Sequence, residues 1–181
     1  FLNGVPNIRI LVGINVDKII EKYQSKGLLF QGDAHQTLVE FLNETKEDIQ
    51  HSAYDSEVEN GILQFIEDIA TKKIQLKAHP SKKLHAKIYI FRPSNWNEHK
   101  SGNVITGSSN LTDAGLGAGN NFNYEFNVLL RDYDDVKFAT DEFEKLWIEG
   151  IAILPVEIEK IKEETYLNDN FTPFEVYIKL L

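Results

Sequence analysis

The chain of 181 residues contains no cysteine and no methionine. Without cysteine there are no disulfides, no thiolate zinc sites, no iron–sulfur ligation and no cysteine nucleophile, and the chain suits a reducing compartment. A cytoplasmic location is therefore expected. Long hydrophobic runs are missing as well. The uncharged apolar stretches are strand-length, too short to span a bilayer, and no signal peptide opens the chain. Because the first residue is Phe1 and methionine is absent throughout, a piece of a larger product is expected. There is no internal repeat, and no Walker A sequence, so any ATPase would lie outside this chain. Gly115-Leu116-Gly117-Ala118-Gly119 misses the dinucleotide fingerprint in its spacing and reads as a flexible loop. What remains is an ordinary globular composition, 42% hydrophobic and 26% charged, with length enough for one buried core. A single domain over residues 1–181 is the expectation, with 155–181 as a helical extension.

Periodicity gives the order of elements. Ile8–Ile14 is apolar, β-branched and interrupted by Gly13, as a buried strand would be. A helical pattern starts at Asp17, with Ile19, Ile20 and Tyr23 on one face, and stops at Gly27. Asp33 is placed to cap a second helix through Leu38, Phe41 and Leu42, and a third is expected from about Ser56 to Thr71. Strands then follow at Ile74–Ala78, Leu84–Phe91, Asn103–Thr106 and Tyr124–Leu130. On the second of these, Leu84, Ala86, Ile88 and Ile90 share the expected core face, opposite His85, Lys87, Tyr89 and Phe91. Residues 93–102 form a polar loop. Helices are expected from Asp134 to Trp147, from Pro155 and from Pro173. The sum is an α/β domain: a mixed central β-sheet sandwiched by helices.

Charge is unevenly distributed. The whole chain carries −9, which argues at first against a polyanionic partner. Between Lys72 and Lys100, however, eight basic residues meet one acidic residue, Glu98, so that segment is locally +7 and the rest carries −16. A basic patch of this kind can focus phosphate anions at one site. A solvated lysine-rich strand edge would have the same composition.

The candidate chemistry lies inside that segment and just after it. In His85-x-Lys87, alternation puts both side chains on one face of a strand, about 6–7 Å apart. An imidazole beside an ammonium suits a nucleophile next to a phosphate clamp, and the ammonium disfavours protonation of the ring. Alone, the pair is also what the solvent face of a half-buried sheet looks like. Gly107-Ser108-x-Asn110 follows the next strand, where a hydroxyl, a carboxamide and main-chain donors can converge on a phosphoryl group. Plain turn chemistry is the alternative there. Glu125 stands on an otherwise apolar strand, where a carboxylate can orient a histidine ring or simply face solvent.

Taken in order, His85-x-Lys87, Gly107-Ser108-Ser109-Asn110 and Glu125 resemble the active-site motif of the phospholipase D superfamily, in its single-motif, nuclease-like branch. Leu84–Val128 carries the resemblance, and Phe143-x-x-Leu146-Trp147 is similar to the helix that follows in many bacterial members. It implies a phospholipase D-like fold and metal-independent phosphodiester cleavage without a cofactor. It makes His85 the nucleophile that forms a phosphohistidine. Lys87 and Asn110 would bind the phosphate oxygens, Ser108 would support them, and Glu125 would orient His85. Lys82, Lys83, Arg92, Ser109 and Thr112 are the expected nucleic-acid contacts. Where many members have an Asp five residues after the lysine, this chain has Arg92, a departure that weakens a lipase reading more than a nuclease one.

Only one copy of the motif is present, and the other histidines, His35, His51, His79 and His99, lack its companions. A second group must protonate the leaving oxygen, and a symmetric partner's histidine could supply it. A two-fold homodimer with a composite site is therefore expected. Thr172–Leu181 resembles the junction by which phospholipase D-like domains lead into the motor of bacterial helicase-related proteins. The expectation is a DNA endonuclease module of a helicase-related or restriction protein, with DNA ahead of RNA and no membrane partner. A non-catalytic nucleic-acid-binding or dimerisation module is the alternative, and a phospholipid hydrolase a distant one.

Overall fold

The computed structural model describes residues 7–14, 16–27, 29, 33–51, 56–80, 84, 86–108, 124–165 and 167; for residues 16–18 and 56–58 it describes the backbone alone. Two compact units emerge, one from residues 1–83 and 150–181 and the other from residues 84–149.

The first unit is built on a mixed three-stranded sheet. Strand β1 (Ile8–Gly13) runs parallel to β2 (Ile74–His79), in a register from Ile8 opposite Ile74 to Gly13 opposite His79. A parallel pair cannot be joined by a tight turn. The connection here is three helices, α1 (Val16–Ser25), α2 (Ala34–His51) and α3 (Ser56–Ala70). The expected caps act where described: Asp33 Oδ1 accepts the Gln36 amide at 2.8 Å at the start of α2, and Gly27 takes a left-handed φ of 68° after α1. Ile19 is buried as expected, whereas Ile20 is 36% exposed, so the apolar stripe of α1 is narrower than its periodicity suggests.

Strand β2 is the centre of this sheet. Ile74, Leu76 and Ala78 alternate as buried residues, and His79 at the end of the strand is buried too. Beyond the second unit the chain returns as β6 (Ile151–Ile153), antiparallel to β2 with Leu76 opposite Ile153. Helix α5 (Pro155–Glu163) follows, its first turn fixed by Pro155 and by the Leu154 amide donating to Glu157 Oε2 at 2.7 Å. Helices α2 and α3 pack against β2 and α5, and the core joins Ile19, Ile49, Ile69, Leu76, Ile153 and Ile158. Strand β6 is absent from the sequence expectation: three residues are too few for periodicity to register.

The second unit is an antiparallel meander, β3 (Lys87–Phe91), β4 (Asn103–Gly107) and β5 (Asn127–Leu130), with helix α4 (Tyr133–Glu149) packed against β3 and β4. Val104 on β4 and Val136 on α4 are its fully buried apolar side chains. The loop between β3 and β4 is tethered. Trp96 stacks on Tyr133 with ring centroids 5.2 Å apart, and its indole N–H donates to the Ser101 carbonyl at 2.7 Å.

The α/β class holds, and two strand extents differ from expectation. Described pairing in β3 begins at Lys87 rather than Leu84, and β5 begins at Asn127 rather than Tyr124. The assigned core face of β3 also needs correction. Ile90 is half-buried, but Ile88 is 46% exposed, because burial in this unit centres on Val104, whose partner on β3 is Ile90. The helix expected from Pro173 lies outside the described residues.

Candidate active site

One end of the second unit's sheet gathers the candidate residues. The register puts Lys87 of β3 opposite Gly107 of β4, and Gly107 opposite Asn127 of β5. These three positions form one row across three strands, each about 4.8 Å from the next. Ser108 and Phe126 continue the pairing by one residue: the Ser108 amide donates to the Phe126 carbonyl at 3.1 Å. Motifs separated by 38 residues in the chain thus become neighbours through antiparallel register alone.

Gly107 is required at the middle of this row. A Cβ there would fall 2.7 Å from the Asn127 Cα, and closer still to the Phe126 carbonyl oxygen and Asn127 Oδ1. Backbone atoms cannot yield as a flexible side chain does, so this close approach of β4 and β5 admits only glycine. Just beyond it, the Ser108 hydroxyl donates to Glu125 Oε2 and accepts the Phe126 amide at 3.0 Å. Glu125 and Lys87 are half-buried, and Ser108 is exposed.

Arg92 is not brought to this end. It follows the far terminus of β3, about 16 Å along the strand from Lys87. There its guanidinium lies 4.9 Å from the centre of the Trp96 ring, a cation–π contact that continues the stack onto Tyr133. Of the other expected site residues, His85, Asn110, Lys82, Lys83, Ser109 and Thr112 lie outside the described residues. The structure therefore joins Lys87, Ser108 and Glu125 and separates Arg92 from them. Asn127, unassigned from the sequence, sits in the Lys87 row; its distance of two residues from Glu125 was the available signal.

Among the described residues no group of three or more histidine or acidic side chains could hold a metal ion. What the arrangement offers is an ammonium, a hydroxyl and a carboxylate at one end of a sheet. A glycine brings two strands close enough for the last two to touch.

A family model described as "Cardiolipin synthase, PLD-like domain" matches residues 7–147, from the residue before β1 into α4. Neither the curated proteins nor the solved structures give a significant match. The matched span covers most of the chain and includes the Lys87, Gly107, Ser108 and Glu125 positions, and the chain belongs to the phospholipase D-like family, whose members are generally phosphodiester hydrolases.

Proposed function

We propose that this chain is a metal-independent DNA endonuclease module of the single-motif branch, working through a phosphohistidine in the composite site of a homodimer. The observation that carries this reading is the convergence of Lys87, Ser108 and Glu125 at one sheet end, within a chain of the phospholipase D-like family. In the proposed reaction His85 attacks phosphorus, an N–P bond forms, and the bond to the leaving oxygen breaks. That oxygen takes a proton from the His85 of a second copy. Water then attacks the phosphohistidine, gives a proton to the same second histidine, and releases the 5′- or 3′-phosphate end with His85 regenerated. Lys87 and Asn110 hold the nonbridging oxygens, and Glu125 orients His85. Lys82 and Lys83, with Ser109 and Thr112, contact the flanking nucleic acid.

The local +7 of Lys72–Lys100 favours a polyanion over a single headgroup. The similarity of Thr172–Leu181 to a helicase junction supports a cytoplasmic role within a helicase-related or restriction protein. One observation favours a second reading: the family's description names cardiolipin synthase, which points to a phospholipid phosphodiester.

A single assay set separates the readings. Single- and double-stranded DNA and phospholipid vesicles are incubated with the protein in EDTA, beside His85→Ala. DNA cleavage that persists in EDTA and disappears in the variant supports the nuclease. Lipid turnover alone supports the second reading, and DNA binding without cleavage indicates a binding module. Mixing His85→Ala with Lys87→Met tests the composite site by activity recovered in heterodimers. A protein that is monomeric and active would overturn the dimer.

A further inference from the structure

The sequence motif suggests that Ser108 supports the phosphate. Its hydrogen bonds point elsewhere. A serine hydroxyl has one proton to donate and two lone pairs. Here the proton goes to Glu125 Oε2, and one lone pair takes the Phe126 amide at 3.0 Å. The Ser108 amide is also engaged, on the Phe126 carbonyl at 3.1 Å. A phosphate oxygen is an acceptor and needs a donor, and both donors of Ser108 are already committed. Turning the hydroxyl toward a phosphate would leave the Phe126 amide and the Glu125 carboxylate each short of a partner, at greater cost than one new bond returns.

We propose that Ser108 is a positioning residue for Glu125 and not a phosphate ligand. The chain of bonds runs in one direction, from the Phe126 amide to the hydroxyl and from the hydroxyl to the carboxylate, so each strengthens the next. It ties one carboxylate oxygen to the backbone of β5's entry. The other oxygen, Oε1, is left to receive the ring N–H of His85. The absence of a side chain at Gly107 is what makes this possible, because the close approach of residues 107 and 126–127 brings the hydroxyl within reach of both partners. The inference rests on the reading of His85 as nucleophile and Glu125 as its orienting acid.

Three measurements on the full chain test it. With a fluorescent oligonucleotide substrate, Ser108→Ala should lower kcat about 10- to 100-fold, the range of one charge-assisted hydrogen bond, with KM and oligonucleotide Kd within about twofold. Ser108→Thr, which keeps the hydroxyl, should recover most of the loss. In a Glu125→Gln background, Ser108→Ala should cost less than about twofold more, because a residue that acts only through Glu125 has nothing further to lose. A rise in KM or Kd at constant kcat, or fully additive losses, would overturn the proposal in favour of a phosphate ligand.

The third readout does not need turnover. The side-chain carboxyl carbon of Glu125, followed by NMR in labelled protein, should shift in Ser108→Ala and return in Ser108→Thr. An unmoved resonance overturns the contact itself. A wild-type protein that shows this shift yet cleaves nothing would instead count against the nuclease reading, so the two failures are distinguishable.

Discussion

At the residue scale, two glycines of this chain have opposite meanings. Gly107 is hemmed in by main chain, with the Asn127 Cα 2.7 Å from where a Cβ would stand. Gly61, on an exposed turn of α3, has nothing within 4 Å of the same position. Gly107→Ala must push β4 and β5 apart, and should cost about 1–3 kcal/mol and roughly 2–10 °C in Tm. Gly61→Ala meets no obstacle and removes backbone freedom from the unfolded chain. It should gain about 0.5–1 kcal/mol, raising Tm by roughly 1–4 °C. Thermal melts of the two variants check both signs. Gly107→Ala should also abolish the Ser108–Glu125 contact, so on the proposed reading it loses activity at temperatures where it remains folded. Equal melting shifts for the two alanines would contradict the close approach.

At the element scale, the junction between α3 and β2 explains both a boundary and a pH dependence. Helix α3 ends where Lys72 takes a left-handed φ of 61°, a conformation unusual for a residue with a side chain. That turn delivers Lys73 back to the helix, where its ammonium lies 2.7 Å from the nearly buried carboxylate of Asp68. Gln64 donates to the other oxygen at 3.0 Å. These bonds, that of Lys73 first, hold the Asp68 carboxyl below the ordinary aspartate range. The folded protein therefore binds fewer protons than the unfolded chain around pH 4, and stability rises with pH there. The contribution is complete above about pH 5 and disappears as pH falls through the folded value. Lys73→Met should lower Tm at pH 7, and the gap to wild type should close as the pH approaches about 3. A gap independent of pH would show that Lys73 acts through packing alone.

Elements of this kind were legible in different degrees, for physical reasons. The stop at Gly27 and the cap at Asp33 are local chemistry, carried by one or two residues, and both are found. Strand β4 was legible because Asn103–Thr106 is short, apolar and ends in Gly-Ser. Strand β6 was not, since its three residues owe their conformation to pairing with β2. The exposure of Ile88 was hidden for a similar reason. Alternation says which residues share a face, but only packing says how much of that face a helix covers. The candidate site divides along the same line. Lys87, Ser108 and Glu125 were readable as residue types in a motif order. That Ser108 donates to Glu125 depends on the register of β4 against β5, which no local pattern encodes.

At the scale of the whole molecule, the uneven charge determines how a polyanion is met. The net −9 is the sum of a +7 segment and a −16 remainder. At 0.01 M salt the screening length is about 30 Å, and an approaching nucleic acid senses both. At 0.15 M it falls to about 8 Å, and the basic segment acts almost alone. On the proposed function, each phosphate neutralised on duplex DNA adds about −0.9 to the slope of log K against log salt. Repulsion from the acidic remainder weakens low-salt binding, so the slope should be shallower below about 0.05 M than above it. Lys82→Gln with Lys83→Gln should reduce the high-salt slope by about 1.8 for duplex DNA and about 1.4 for a single strand, weakening every sequence alike. Arg92→Gln should change the slope by less than one unit, because its guanidinium is engaged with Trp96 at the far end of β3. Fluorescence anisotropy across a salt series gives all three slopes. If the double variant keeps the wild-type slope, the basic segment is a solvated strand edge and the polyanion meets the protein elsewhere.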